Sequence, residues 1–276
     1  MSQIRVHPLL TKYARIGAYR QPHCPGCGNG IVAQCMLRAI DELNLNIDKI
    51  VFVSGIGCSS WIPSPFFNAD VLHTTHGRPI AFATGVKLSN PELHVVVFTG
   101  DGDSAAIGGN HLIQAARKNV EILTVLVNNR IYGMTGGQVA PTTPHGMKTR
   151  TTPYGNLEYP FDLCKLVETA GASYVARWTT FHTRQLVSSM KKGLLKKGFS
   201  FIEVISQCPV QYGAFAGVRE PAELLRMLRD TSVHVEKAKN MSKKELEGKI
   251  VIGEFVDEER TGLAEAYQKL LEAAEP

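Results

Sequence analysis

Short apolar runs alternate with stretches of helical pattern along the chain. Five runs rich in Val, Ile and Phe lack regular polar alternation and predict strands buried on both faces, at residues 49–55, 94–100, 121–129, 172–178 and 199–206. Between them the pattern predicts helices near residues 29–43, 79–89, 104–118, 161–170 and 181–197. Strand–helix alternation of this kind predicts an α/β fold with a doubly wound, mostly parallel sheet.

Two segments depart from this alternation. Residues 130–160 are rich in Gly, Thr and Pro and are too long for an ordinary connection, so we expect a functional or disordered loop. The chain after Pro221 is charged and largely helical in pattern, with one short strand expected at 249–255. We therefore predict a main domain over residues 1–220 and a C-terminal helical arm over residues 221–276.

Composition narrows the class of protein. The 276 residues are 44% hydrophobic and 20% charged, which is typical of a globular protein with a large core. The net charge of +5 comes from dispersed Lys and Arg residues, so a solvated surface is favoured over nucleic-acid binding. The N-terminus lacks a signal-peptide pattern and no run is apolar enough to cross a bilayer. We expect a soluble, cytoplasmic protein with no membrane contact.

Polar side chains follow two neighbouring predicted strands. Asp101 lies between Gly100 and Gly102 directly after one strand, and Asn129 follows the next strand along the chain. Carboxyl ends of parallel strands meet at one edge of the sheet, where ligands bind. Carboxylate and amide oxygens suit Mg²⁺, and the helix that follows presents its N-terminus to an anion. The pattern predicts a Mg²⁺–diphosphate site, although two turns without a ligand would look the same.

Nucleotide binding is disfavoured by the motifs that the chain lacks. The sequence contains no Walker-type P-loop, and no GxGxxG follows the first predicted strand.

The six cysteines fall into two groups. Cys35 and Cys164 lie among apolar residues of predicted helices and are expected to be buried core thiols. The other four lie in predicted loops: Cys24, Cys27, Cys58 and Cys208. In a reducing compartment they are expected to bind metal rather than to form disulfides. Their spacing favours a [4Fe–4S] cluster over zinc, and a redox dithiol at the CxxC pair is a further alternative.

The GDG…NN pattern resembles the signature of thiamine diphosphate enzymes. This resemblance implies that Mg²⁺ is bound by Asp101, Asn129 and the main-chain carbonyl of Ile131. It also implies a set of cofactor contacts at Ile56, Gly57, Cys58, Ser59, Thr75, His76, Gly77, Gly100, Gly102, Asp103, Gly133 and Met134. Of these, the backbone around Gly102, Asp103, Gly133 and Met134 is expected to hold the diphosphate.

A longer series of motifs resembles one branch of these enzymes. In order they are CPGCG, GIGCSS, THGR, GDGDSAAIGGNH, NNRIYGMTGGQ, PTTP and CP, spread over about residues 12–220. The series resembles the β subunit of 2-oxoacid:ferredoxin oxidoreductases. This implies thiamine diphosphate, Mg²⁺, one [4Fe–4S] cluster on the four loop cysteines, coenzyme A as acyl acceptor and ferredoxin as electron acceptor.

The same resemblance implies a partner chain. Thiamine diphosphate enzymes need a glutamate on a separate pyrimidine-binding domain, and one α/β domain occupies nearly this whole chain. We therefore expect the glutamate on an α subunit and no catalytic residue of that kind here. The expected assembly is (αβ)₂ or one with additional small subunits.

Substrate choice rests on the segment YGMTGGQ, which resembles the 2-oxoglutarate-type β subunits, whereas other relatives often have lysine at the position of Gly136. We expect oxidative decarboxylation of 2-oxoglutarate to succinyl-CoA and CO₂. A cation for the distal carboxylate would come from Arg130, Lys148, Arg150 or the α subunit. The alternatives are pyruvate or another 2-oxoacid, a non-oxidative decarboxylase subunit, or a non-catalytic subunit with a four-cysteine zinc site.

Overall fold

One sheet of eight strands organises the chain in this computed structural model, which describes residues 7–15 and 23–274. The strands are β1 Ile50–Ser54, β2 Asp70–His73, β3 His94–Gly100, β4 Leu123–Asn128, β5 Tyr174–Thr179, β6 Ser200–Ile205, β7 Ser232–His234 and β8 Ile250–Asp257. The five predicted strands are confirmed as β1, β3, β4, β5 and β6. Their Val, Ile and Phe residues are buried because helices cover both faces of the sheet.

The strand order is β2-β1-β3-β4-β6-β5-β8-β7, and every neighbouring pair is parallel except β5 with β8. The predicted doubly wound, mostly parallel sheet is therefore confirmed. In the pairing of β3 with β4, Gly100 lies opposite Val127. This register brings the residues that follow both strands to the same edge of the sheet.

Helices pack on the two faces. They are α1 Pro8–Tyr13, α2 Asn29–Glu42, α3 Pro79–Ser89, α4 Gly109–Lys118, α5 Leu163–Thr169, α6 Thr183–Leu195, α7 Tyr212–Ala216, α8 Pro221–Thr231, α9 Val235–Ala238 and α10 Leu263–Ala274. Helices α2 and α6 contribute to one core with Phe52, Phe67 and Phe98, and α3, α4 and α5 contribute to the core on the opposite face. No helix in the described ranges is long and apolar enough to span a membrane.

The predicted helix at 104–118 has two parts. A π-helical segment, Gly102–Ile107, leads from the end of β3 into α4, which begins at Gly109. Such segments are rare and occur mostly at functional sites, because the wider turn redirects backbone groups. The change in helix type therefore falls where a ligand was predicted.

The C-terminal segment contributes to the sheet as well as adding helices. The strand expected at 249–255 is confirmed as β8, which pairs antiparallel with β5 and parallel with β7. The division of the chain at residue 220 stays a prediction. Residues 1–6, 16–22 and 275–276, which belong to the two predicted units, lie outside the described residues.

Candidate cofactor site

Most of the predicted cofactor residues line one pocket at the carboxyl edge of the sheet. Its walls are Asn29, Ile56, Gly57, Cys58, Ser59, His76, Gly100, Asp101, Gly102, Asp103, Val127, Asn129, Ile131, Tyr132, Gly133, Met134 and Thr135. Two predicted contacts do not line it: Gly77 is buried behind it and Thr75 is exposed in the preceding turn. The enclosed volume is about 80 Å³, far below the roughly 300–1,000 Å³ of complete small-molecule sites. The described chain therefore forms only part of a site.

Asp101 is a buried carboxylate in need of a cation. Its side chain is 4% exposed and accepts a hydrogen bond from the hydroxyl of Thr142. Burial raises the pKa of Asp101 to about 6, while the hydrogen bonds from Thr142 and the backbone oppose that rise. The negative charge of Glu203 raises the pKa further. A divalent cation at this position would restore the charged form, so the donor set fits Mg²⁺.

The two asparagines after β4 have different surroundings. Asn129 lines the pocket, and its side-chain oxygen accepts a hydrogen bond of 3.2 Å from the backbone N–H of Ile131. Asn128 is buried, and its amide nitrogen donates to Glu203 at 2.7 Å. The side-chain oxygen of Asn128 lies 2.9 Å from the hydroxyl of Thr142. Asn129 is therefore placed to bind a ligand, whereas Asn128 supports the wall behind it.

The buried polar network behind Asp101 was not predicted from the sequence. From Thr142 and Asn128 it continues to Glu203 on β6, whose carboxylate accepts a hydrogen bond of 2.6 Å from Nε of Arg177. Arg177 on β5 lies directly opposite Glu203 in the strand register. A charged residue inside each of two apolar strands is the signal that could have predicted this pair, because buried charges require partners.

Asp103 joins two parts of the pocket wall. One of its carboxylate oxygens accepts a hydrogen bond of 2.6 Å from the N–H of Gly77 and lies 2.7 Å from Nδ1 of His76. The other oxygen accepts a hydrogen bond of 2.9 Å from the hydroxyl of Thr99. The side chain thus fixes His76 at the rim of the pocket, and the backbone of Asp103 remains the part suited to bind a diphosphate.

Gly102 permits a close approach that no other residue would allow. A Cβ atom there would lie 2.3 Å from Cε1 of Tyr132. The Tyr132 hydroxyl also donates to the carbonyl oxygen of Gly102 at 3.3 Å. The ring therefore holds the turn after β4 against the turn after β3.

Gly102→Ala is expected to destabilise the fold by about 1–3 kcal/mol, as overpacked sites do, and to weaken thiamine diphosphate binding. The added methyl must displace Tyr132 and with it the backbone of residues 131–134. Gly109→Ala is the matched control, because nothing lies within 4 Å of a Cβ at that helical glycine. Thermal unfolding and cofactor titration check both variants, and equal behaviour of the two would contradict the packing argument.

Three of the four loop cysteines are brought together by backbone contacts around the CPGCG turn. The N–H of Cys27 donates to the carbonyl oxygen of Cys24 at 3.0 Å, which closes the turn. The N–H of Gly28 then donates to the carbonyl oxygen of Gln207 at 3.1 Å. This bond places the turn beside Cys208.

The fourth cysteine approaches from the turn after β1. A Cβ atom at Gly133 would lie 3.6 Å from Sγ of Cys58 and 3.8 Å from Sγ of Cys208. Gly133 also lines the pocket that contains Asp101 and Asn129. The thiols of Cys58 and Cys208 therefore contact the same backbone turn that was predicted to hold the diphosphate.

The electrostatics of these thiols disfavour a reactive dithiol. Burial raises the pKa of Cys27 to about 12 and the pKa of Cys58 to about 11. Neighbouring cysteines contribute to both increases, whereas backbone hydrogen bonds oppose them. Redox-active cysteines have lowered pKa values, so Cys27 does not fit that class. Partly buried thiols that repel one another as thiolates suit a bound cationic centre.

Among residues 7–15 and 23–274, no group of three or more His, Cys, Asp or Glu side chains is arranged to hold a metal ion. The choice between a [4Fe–4S] cluster and zinc stays a prediction from the sequence.

Cys35 and Cys164 are confirmed as buried core residues. Cys35 lies in α2 within one core, and Cys164 lies in α5 within the other. All six cysteines are free thiols. The separation of the cysteines into loop and core groups therefore holds in the structure.

A second, larger cavity borders the site at Asn129. It encloses about 870 Å³ between β6, the loop ending near Phe161 and the C-terminal segment. Arg130 lies in its wall, where its guanidinium donates to the Tyr212 hydroxyl at 3.4 Å. Its lining is mainly apolar, and of the residues predicted to bind the cofactor or metal only Asn129 reaches it.

Comparisons with known proteins agree with this site. Residues 55–204 match the family of thiamine pyrophosphate enzymes at their C-terminal TPP binding domain. The 2-oxoglutarate synthase subunit KorB of Methanocaldococcus jannaschii is 58% identical over 97% of this chain and 98% of its own length. The 2-oxoglutarate oxidoreductase subunit KorB of Mycobacterium tuberculosis is 36% identical over 83% of this chain and 65% of its own length.

A solved structure is also similar. It is the 2-oxoglutarate:ferredoxin oxidoreductase of Magnetococcus marinus with 2-oxoglutarate, coenzyme A and succinyl-CoA bound. The match has a TM-score of 0.84 and 32% identity, and it covers 95% of this chain and 89% of that chain.

Fold, site and relatives together define the class: the chain belongs to the thiamine pyrophosphate enzymes, through their C-terminal TPP binding domain. Within that family its similarity is to the β subunits of 2-oxoacid:ferredoxin oxidoreductases of the 2-oxoglutarate type, as the sequence motifs implied.

Proposed function

We propose that the chain is the diphosphate-binding β subunit of a 2-oxoglutarate:ferredoxin oxidoreductase. With an α subunit it converts 2-oxoglutarate and coenzyme A to succinyl-CoA and CO₂ and passes two electrons to ferredoxin. One observation carries the proposal: Gly133 lies in the pocket of Asp101 and Asn129 and also faces the thiols of Cys58 and Cys208. The predicted thiamine diphosphate site and the predicted one-electron carrier therefore share the backbone turn at Gly133 as a wall.

Thiamine diphosphate, when bound, supplies the carbanion that attacks the 2-oxo carbon and accepts the electron pair left by CO₂. The residues of this chain bind and orient it. Asp101, Asn129 and the carbonyl of Ile131 hold Mg²⁺, which neutralises the diphosphate. Backbone N–H groups near Gly102, Asp103, Gly133 and Met134 bind the phosphate oxygens.

Cys24, Cys27, Cys58 and Cys208 hold the [4Fe–4S] cluster. The thiols of Cys58 and Cys208 face the Gly133 turn, so a cluster held there would lie next to the thiamine site and could accept electrons without a relay. Ferredoxin then accepts the electrons one at a time, in the manner that iron–sulfur proteins support.

The α subunit completes the site. The pocket of this chain is shallow, and large apolar side chains stand exposed beside it at Ile56, Ile107 and Met134. Such a rim suits a covering subunit that brings the activating glutamate. The active unit is therefore the α/β complex, in the (αβ)₂ form or with additional small subunits, in the cytoplasm.

Of the three cations considered for the substrate, Arg150 is the best placed. Its Nε donates to the carbonyl oxygen of Gly136 at 2.8 Å, and its backbone N–H donates to Gly137 at 2.9 Å. It therefore stands on the turn that begins at Gly133. Arg130 instead faces the larger cavity, and Lys148, exposed like Arg150, has no hydrogen bond to that turn among the described residues. We favour Arg150 as the partner of the distal carboxylate of 2-oxoglutarate.

Freeze-quench EPR of the α/β complex with 2-oxoglutarate and no coenzyme A tests the proposed function. The expected result is a reduced-cluster signal together with an organic radical, and faster cluster reduction once coenzyme A is added. Release of CO₂ without either signal would support the non-oxidative decarboxylase instead. Metal analysis that finds zinc without iron or sulfide would support the non-catalytic assembly subunit. Steady-state turnover with a panel of 2-oxoacids separates 2-oxoglutarate from pyruvate as the substrate.

A further inference from the structure

Residues 142–161, here the aromatic loop, have a fixed backbone although they contain no helix or strand. Asn156 is buried at its centre, and its amide nitrogen donates to the carbonyl oxygen of Thr143 at 2.9 Å. The N–H of Asn156 donates to Met147 at 2.9 Å, and its carbonyl accepts from Gly146 at 2.7 Å. These bonds hold the loop in one conformation.

The outer part of this loop exposes large apolar side chains. Tyr154 is 98% exposed, Leu157 and Tyr159 are each 84% exposed, and Phe161 is 55% exposed. The ring of His145 stacks on that of Tyr159 with centroids 4.9 Å apart, so at least one aromatic is held in place. A group of exposed aromatic and aliphatic side chains on a fixed backbone is typical of a protein–protein interface.

The base of the loop is part of the cofactor site. Thr142, its first residue, donates a hydrogen bond to the carboxylate of Asp101. The N–H of Phe161, at its other end, donates to the carbonyl oxygen of Pro141 at 2.9 Å. The first end of the loop therefore contacts the predicted metal ligand, and the other end closes back on the residue before Thr142.

We propose that the tip, residues 154–159, is a docking surface for the α subunit, which carries the pyrimidine-binding domain. The inference rests on the proposed function, because the same subunit must cover the cofactor at this edge. Continuity between the tip and the open pocket through Thr142 and Asp101 favours this occupant. The surface that receives it is expected to be apolar, because the tip exposes Tyr154, Leu157 and Tyr159.

A second copy of this chain is the less favoured occupant. Every copy has a net charge of +5, so a contact between two copies would oppose like net charges. Docking of the α subunit also explains the connection to Asp101. A contact at the tip acts through the loop on the Thr142 hydroxyl, which donates a hydrogen bond to the predicted metal ligand Asp101.

The test compares substitutions at two exposed apolar sites, one at the tip and one at the end of α6, in the full-length α/β complex. Tyr154→Ser/Leu157→Ser removes the two most exposed parts of the tip and spares Tyr159, which stacks on His145. Leu195→Ser is the matched control, because Leu195 is 58% exposed at the end of α6. That helix leads into the amino end of β6, so Leu195 lies away from the carboxyl edge that binds the cofactor. Sedimentation velocity and a binding titration measure α/β association, and thermal unfolding measures the fold of each β variant alone.

We expect the tip variant to bind the α subunit at least tenfold more weakly with an unchanged Tm, and the Leu195→Ser variant to bind normally. An unchanged α/β affinity would overturn the inference. If the tip variant instead loses only β–β association, the occupant is a second copy. Association is measured without substrate, so the proposed function fails separately, when a normally assembled complex gives no cluster reduction with 2-oxoglutarate.

Discussion

Asp101→Ala is expected to leave a folded protein that purifies without thiamine diphosphate and whose α/β complex loses activity at least about a hundredfold, a loss typical of disrupted metal sites. The carboxylate is buried near the negative charge of Glu203, which raises its pKa. Its removal breaks no ion pair among the described residues, and the Thr142 hydroxyl that loses its bond to Asp101 still lies 2.9 Å from the side-chain oxygen of Asn128. The loss falls on the Mg²⁺ ion and on the diphosphate that the ion neutralises.

Cofactor content per chain and thermal unfolding check this result. Asp101→Asn serves as the isosteric comparison and should also lose cofactor, because an amide neutralises no cation. Asp41→Ala is the control, since Asp41 lies in α2 and accepts hydrogen bonds from the Lys12 ammonium and the Tyr13 hydroxyl. Stoichiometric thiamine diphosphate in purified Asp101→Ala would show that the metal assignment is wrong.

Cys58→Ala and Cys208→Ala are expected to abolish the [4Fe–4S] cluster, whereas Cys35→Ala and Cys164→Ala should keep full iron content. The first two thiols face the Gly133 turn, and the last two are buried in opposite cores. Substitution in a core removes one sulfur and costs about 1 kcal/mol of stability, which is typical of a single mutation. Substitution of a cluster ligand leaves the cluster with three protein ligands.

Iron and acid-labile sulfide per chain, with the visible spectrum of the anaerobically purified protein, give the readout. The distinction between the two groups fails if all four alanine variants lose the cluster to the same extent. Zinc in place of iron in the unmodified chain would instead establish the single-ion alternative.

The central strands could be predicted because burial on both faces produces uninterrupted Val, Ile and Phe runs. Strand β2, Asp70–His73, gave no such signal because it lies at the sheet edge and is largely exposed. Its sequence therefore carries little hydrophobic pattern. The β7 strand is short and similarly exposed, and it was also missed.

Within the site, residues that touch a ligand were easier to predict than residues that support them. Asp101 and Asn129 each follow a recognisable strand, so position along the chain was enough. Thr142 contacts a residue 41 positions earlier, and Glu203 contacts Asn128 from 75 positions away. Only the folded sheet brings these together, and a local pattern contains no information on such pairs.

The antiparallel pairing of β8 with β5 has a consequence for biosynthesis. Strand β5 has β6 on one side, and its other edge is covered only by β8, near the end of the chain. Until the ribosome has released residues 250–257, that edge offers unpaired N–H and C=O groups to any neighbouring strand. The nascent protein thus has an aggregation-prone edge while the residues between β5 and β8 are synthesised, and β8 then protects that edge within the same chain.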